Sequence, residues 1–149
     1  GILAATGLAR YEVSNFAKPG HESVHNRIYW HDGGYVGLGC GASGQLGGER
    51  WSNLDRLVPY CEAVERGSAP VAERERLEGK AKLGERLMLG LRLLEGVDLA
   101  PADRGAFGVE LADLERRGLL SISGARARLT REGVFIANRV FESFVAPFD

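Results

Sequence analysis

The chain has 149 residues, room for one ordinary domain or for a small domain plus a piece of another, and its 44% hydrophobic and 26% charged residues are those of a soluble globular protein. Its 19 basic residues nearly cancel its 20 acidic ones, so bulk charge disfavours a nucleic-acid partner, whose phosphates are usually met by an excess of Lys and Arg. Cys40 and Cys61 are the only cysteines, too few for a disulfide-stapled scaffold or a thiolate-held cluster, and no stretch approaches the roughly 18 apolar residues of a membrane span, so the expected setting is the cytoplasm.

The opening Gly1-Ile2-Leu3-Ala4-Ala5 is apolar without a basic leader region and without an initiator Met, which reads as the middle of an element in a shortened chain. Eleven of the 21 glycines fall within the first 48 residues, whereas the second half reads as helices. Residues 10–14 alternate enough for a short strand, Pro19 and Gly20 make a turn, and Tyr35 to Gly39 form a second candidate strand that runs into a Gly-rich loop. Pro59 suits a first helical position, so a helix is expected from there with Cys61 and Val64 inward and Gly67 as its end; Ser68-Ala69-Pro70 then begins a hinge.

From Glu73 the period changes to 3.6. Leu83, Leu87, Leu91 and Leu94 share one helix face, with Gly96 as the C-cap. Asp98 is expected to cap a short helix through Pro101, Gly108 interrupts it, and Val109 to Arg117 follow with Leu111 and Leu114 inward. Leu119 to Ile122 and Arg126 to Leu129 flank Ser123-Gly124-Ala125 as a hairpin. Thr130 caps a final helix with Val134, Asn138, Phe141 and Val145 along one side. Helix, helix, hairpin and helix together predict a winged-helix-like domain.

All three histidines, at 21, 25 and 31, fall beside Tyr29 and Trp30. Imidazole is the usual nitrogen ligand for heme iron or zinc, so the segment suits a metal or a flat aromatic ligand; turn capping is the alternative. Zinc is the poorer choice, because no CxxC is present and Glu12, Glu22 and Asp32 are ordinary loop carboxylates. Gly39, Gly41 and Gly44 satisfy a formal GxGxxG, but Gln45-Leu46-Gly47-Gly48 follows where a dinucleotide site needs a helix. That segment reads either as a strand end approached by a ligand or as a tight turn.

Tyr11 to Gly20, Tyr-Glu-Val-Ser-Asn-Phe-Ala-Lys-Pro-Gly, resembles the YEISNFAKPG signature of the HemW-type branch of the oxygen-independent coproporphyrinogen III oxidase-like radical SAM family, and His25-Asn26-Arg27-Ile28-Tyr29-Trp30 matches its HNxxYW motif. Gly34 to Ala42 is similar to the family's GDYLGIGxGA, Leu89-Gly90-Leu91-Arg92 with Gly96-Val97 to its LGLR…GV, and Leu129-Thr130-Arg131-Glu132-Gly133 to its LTxxG. The resemblance implies an α/β remnant over 1–67, the last strands of a partial TIM-like barrel, a hinge at 68–75, and a helical C-terminal domain over 76–149. It implies either a coproporphyrinogen-oxidase-like enzyme or, the branch it resembles most, a heme chaperone of porphyrin metabolism that binds heme or porphyrin and serves a heme-accepting protein. Its complete form would hold a [4Fe–4S] cluster and S-adenosylmethionine. The CxxxCxxC ligands of that cluster are missing from this chain, which is therefore expected to be inactive alone.

The binding residues so implied are His25, Asn26, Tyr29, Trp30, Gly37, Gly39, Gly41 and Ala42, with His25 as the metal ligand and no catalytic residue in the chain. Ser23 and Ser43 stand where relatives often have Cys and His, which leaves His25 as the main iron ligand, with His21 and His31 behind it. Asn26 is expected to orient its loop through its side-chain amide. The competing reading is a stand-alone winged-helix-like module whose Arg116, Arg117, Arg126, Arg128 and Arg131 meet nucleic acid or a protein partner.

Overall fold

A computed structural model describes residues 2–145. The ends of the two expected domains, Gly1 and residues 146–149, lie outside the described residues. The chain divides into two compact units, one formed by residues 1–32 with 78–149 and the other by residues 33–77.

In the first unit, the Leu periodicity folds as helix α4, Gly79–Gly90, after the short elements α1 (Ile2–Ala5), β1 (Ala9–Arg10), β2 (Phe16–Ala17), α2 (Val24–Trp30) and, in the second unit, β3 (Ser43–Leu46), β4 (Glu49–Asn53), α3 (Leu57–Glu65) and β5 (Val71–Arg76). Leu87 and Leu91 are fully buried. Gly84 is required where α4 crosses the chain end, because a Cβ there would stand 2.0 Å from the Phe144 carbonyl oxygen. Beyond α4 come β6 (Val97–Asp98), α5 (Pro101–Arg116), β7 (Leu120–Ser123), β8 (Arg126–Leu129), α6 (Arg131–Phe135), α7 (Ala137–Phe141) and a single 3-10 turn over Glu142–Phe144.

The sheet of this unit is antiparallel in the order β6-β8-β7, with Leu120 opposite Leu129 and Ile122 opposite Ala127. Leu99, Phe107, Leu111, Leu114, Val140 and Phe144 fill the space between it and the helices, and Phe107 meets Phe144 edge to face at 5.4 Å. Asp103 is fully buried at the start of α5. Its Oδ2 accepts from the Ala100 N–H at 2.6 Å and pairs with Arg86 of α4, which ties the two helices together. The amino-terminal segment joins this unit by main-chain pairing: Glu12 bridges Leu93, and the Val13 N–H donates to the Arg92 carbonyl at 3.0 Å.

The second unit is an antiparallel sheet β3-β4-β5 with α3. Gly44 faces Trp51 across the β3–β4 ladder, and a Cβ there would lie 2.3 Å from the indole. The Arg50–Glu75 and Arg74–Glu49 pairs lock β4 to β5. Ala63 is the one buried hydrophobic side chain of this unit among the described residues.

Several local expectations change. Tyr35 makes only an isolated bridge to Gln45, so 35–39 is not a strand, and the strand read at 10–14 is the two-residue β1 followed by the Glu12 bridge. Helix α3 starts at Leu57, which puts Pro59 inside the first turn, where its missing N–H costs no helical bond; Cys61 and Val64 are exposed and Ala63 points inward. Residues 71–76, placed largely within the hinge, form β5. Helix α4 ends at Gly90, so Gly96 closes the following turn instead of capping α4. Helix α5 runs through Gly108, with its break at Phe107, and Asp98 is in β6 rather than at a cap. The last helix breaks at Ile136, where φ is −121° and ψ 31°, and its inward row is Ala137, Val140, Phe141 and Phe144; Asn138 and Val145 are exposed.

Candidate functional site

The histidine segment is a helix. Ser23 has extended backbone and its Oγ accepts from the Asn26 N–H at 3.2 Å, which starts α2. The main-chain amide of Asn26 thus does what its side chain was expected to do; the side-chain amide makes no hydrogen bond among the described residues. Ser23, expected to stand where a Cys is common, serves here as a cap.

A seven-residue helix does not hold its shape alone, and α2 is fixed by partners on one side. The Arg27 guanidinium donates to Glu95 at 3.0 Å, and the His31 Nε2 lies 3.6 Å from the same carboxylate. The Arg92 guanidinium lies over the Trp30 ring at 4.3 Å and over the Phe141 ring at 5.5 Å. Just past the helix, Asp32 pairs with Lys82 at 2.8 Å, and Lys82 also reaches Glu85 at 3.1 Å. Burial pulls the Lys82 ammonium down, but the two carboxylates outweigh it and hold its pKa above the ordinary lysine value.

The other face carries His25 and Tyr29, one helical turn apart. Their rings meet edge to face at 4.6 Å and 80°. His25 is exposed and makes no side-chain hydrogen bond or ion pair among the described residues beyond this ring contact. The HNxxYW motif therefore divides: Trp30 faces Arg92, while His25 and Tyr29 form a pair that solvent reaches. Among the described residues no three His, Cys, Asp or Glu side chains gather around a point suited to a bare cation. A heme iron needs only one or two axial donors from protein, because the macrocycle supplies the rest.

A cavity of about 530 Å³ lies beside Trp30 and His31, lined also by Arg86, Glu95, Asp98 and Arg126. Its charges are already matched, Arg126 to Asp98 at 2.9 Å and Arg86 to Asp103. The glycine residues of the expected site belong to the other unit. Asn53 Nδ2 donates to the carbonyls of Gly37 and Gly39 at 3.2 and 2.9 Å, the Gly39 N–H donates to the Tyr60 hydroxyl at 3.1 Å, the Gly41 N–H to the Leu54 carbonyl at 3.0 Å, and the Ala42 carbonyl accepts from Asn53 at 2.8 Å. Residues 37–42 are thus a turn pinned by Asn53, Leu54 and Tyr60, with one internal bond from the Ala42 N–H to the Gly39 carbonyl at 3.3 Å, and Ser43 begins β3.

Cys40 and Cys61 are both free and exposed, and two thiols cannot fill the three-thiolate set of an open-site cluster. In the arginine set proposed for a nucleic-acid face, Arg116 and Arg117 both pair with Asp113 and Arg126 pairs with Asp98. Those two cations hold the Asp113 carboxyl below its usual pKa, hydrogen bonding from Arg117 acting first. Sequence reasoning missed Lys82, Arg92 and Glu95 as supports of the motif. The one available signal was the Arg of Leu89-Gly90-Leu91-Arg92, a charged residue directly after an apolar helix face.

Residues 77–136 match the HemN C-terminal domain family. Over 96% of its length the chain is 34% identical to the heme chaperone HemW of Bacillus subtilis, and over 97% it is 37% identical to that of Lactococcus lactis, spanning 40% and 39% of those proteins. The chain thus covers about two fifths of the curated relatives it matches. Its fold is similar to that of coproporphyrinogen III oxidase (HemN) from Escherichia coli, described as a radical SAM enzyme, with a TM-score of 0.74 over 99% of this chain and 39% of that one at 18% identity. Whole-chain similarity to heme chaperones, the matched domain and the shared backbone agree, and the chain belongs to the HemN/HemW-like family, with its HemN C-terminal domain at residues 77–136.

Proposed function

We propose that this chain is the part of a heme-chaperone-type protein that takes hold of heme, with His25 as the iron ligand. The observation that carries the reading is the solvent-reached imidazole of His25, set edge to face on Tyr29 on a helix whose opposite side is clamped by Glu95 and Arg92. A neutral imidazole donates to iron and Tyr29 offers an apolar ring to the macrocycle. The relatives' description as heme chaperones supports the ligand class. In the complete protein the [4Fe–4S] cluster and S-adenosylmethionine would depend on residues outside this chain. The same reading takes residues 1–67 as the end of a radical SAM barrel and 76–149 as winged-helix-like, supported by the order α4, α5, hairpin β7–β8, α6. It gives the protein a heme-accepting partner and, with two free thiols, a reducing cytoplasmic setting.

Heme titrations of His25→Ala, His21→Ala and His31→Ala test it. Loss of the His25 ligand is expected to move the Soret band and weaken binding by about tenfold or more, equivalent to about 1.4 kcal/mol. His21→Ala should bind as the unmodified chain does, and His31→Ala should bind with an unchanged spectrum. If His25→Ala keeps both spectrum and affinity, His25 is not the ligand.

A further inference from the structure

We propose that a groove framed by Arg10, Arg92, Arg131 and Arg139 is the docking surface for an acidic, apolar segment of a partner protein. Two open cavities of about 350 and 370 Å³ share Val134 and Phe135. The first has Arg10 and Arg131 on its rim, the second Arg92 and Arg139. No Asp or Glu lines either cavity, in a chain whose formal net charge is −1. Arg10, Arg92 and Arg131 make no ion pair among the described residues, and Arg92 has its Nε buried without an acceptor. Arg139 is held by Glu142 at 3.1 Å and is itself mostly exposed.

The apolar floor follows from a break in the chain. Because α6 stops at Ile136 instead of continuing into α7, Phe135 and Ile136 turn outward and are 73% and 42% exposed. An exposed aromatic beside Arg10 and Arg131, which make no ion pair among the described residues, is complementary to carboxylates carried on an apolar backbone segment. Each cavity alone is at the small end of pockets that enclose a whole ligand. In series they accept apolar side chains on either side of Phe135, while the arginines on both rims take carboxylates, the division between core and rim found at protein interfaces. Nothing in this assignment depends on His25, so it stands or falls separately from heme ligation.

Fluorescence anisotropy of a labelled peptide of alternating Glu and Leu, set against the same peptide with Gln for Glu, tests the groove. The Glu peptide is expected to bind saturably and more weakly as salt is raised, and the Gln peptide about tenfold or more weaker. Arg131→Glu and Arg10→Glu, whose side chains hold no hydrogen bond among the described residues, Arg10 lying over the Phe16 ring at 4.8 Å, should each weaken the Glu peptide by a similar factor, as should Phe135→Ser. Arg116→Glu, already neutralised by Asp113, should not. Equal binding of the Gln peptide, or no effect of Arg131→Glu in a variant with unchanged circular dichroism, overturns the proposal. So does saturable binding of phosphatidylglycerol vesicles or octanoate with the same arginine dependence while the peptide fails, since the groove would then serve lipid or small carboxylates.

Discussion

Replacing Asp103 by Asn removes one charge from a fully buried position while keeping the side chain's shape, so the cost can be assembled from its bonds. Its Oδ2 closes the start of α5 through the Ala100 N–H at 2.6 Å, an N-terminal cap worth about 1 kcal/mol. The same oxygen takes a charge-assisted bond from Arg86, worth about 1.5–3 kcal/mol, and that guanidinium is then left without its carboxylate. The opposite oxygen, Oδ1, is buried with no partner among the described residues, and the Asn amide nitrogen would take its place equally unpartnered, so that cost is common to both proteins. The Asn oxygen can still accept from the Ala100 N–H, so the expected destabilisation is that of the charge-assisted pair alone, about 1.5–3 kcal/mol. Urea unfolding followed by circular dichroism should show a lower midpoint with an unchanged slope. Arg86→Met should cost about 1 kcal/mol or more less in the Asp103→Asn background than in the unmodified protein, because the two side chains act as one unit. A loss below about 0.5 kcal/mol for Asp103→Asn, or equal costs of Arg86→Met in both backgrounds, would refute the account of α4–α5 coupling.

Limited proteolysis should cut first within residues 33–77, where Ala63 is the one buried hydrophobic side chain among the described residues, and leave fragments containing 78–145 protected; equal protection of the two regions would contradict this. Lys82 supplies a pH dependence. Its folded pKa is raised, so its contribution to stability is fully present below the unfolded value of about 10.4 and is lost as the pH rises through the folded one. Stability measured from pH 9 upward should fall less steeply in Lys82→Met than in the unmodified chain, and parallel curves would show that the Asp32–Lys82–Glu85 cluster contributes nothing.

Elements whose cause is local were legible. The Leu83, Leu87, Leu91 row gives α4 because a whole helix face repeats, Gly124 marks the β7–β8 turn, and the Thr130 hydroxyl accepts from the Gly133 N–H at 3.0 Å as a cap should. Helix α2 was not legible, since its residues are half-buried or exposed and show no apolar period; its stability comes from Lys82, Arg92 and Glu95, more than fifty residues away. Strand β5 reads as polar linker because five of its six residues are exposed, and only the arginines and glutamates of β4 reveal why it is extended. For the candidate site, the histidines and aromatics could be picked out by residue type, but the division of the motif into a clamped and an open face requires the helix. That the last helix stops at Ile136 had no clear signal, as Phe135-Ile136-Ala137 contains no Gly or Pro to break it.

The discontinuity of the first unit also bears on the timing of synthesis. Arg27 and its partner Glu95 are 68 residues apart in sequence, so at roughly 10 residues per second a ribosome makes the motif about 7 s before the carboxylate that holds it. During that interval α2 has its Ser23 cap but neither Arg92 nor Glu95, and seven residues do not stay helical on a cap alone. The His25–Tyr29 arrangement is therefore a late product of translation, and a nascent chain halted before Arg92 would carry the motif without its geometry.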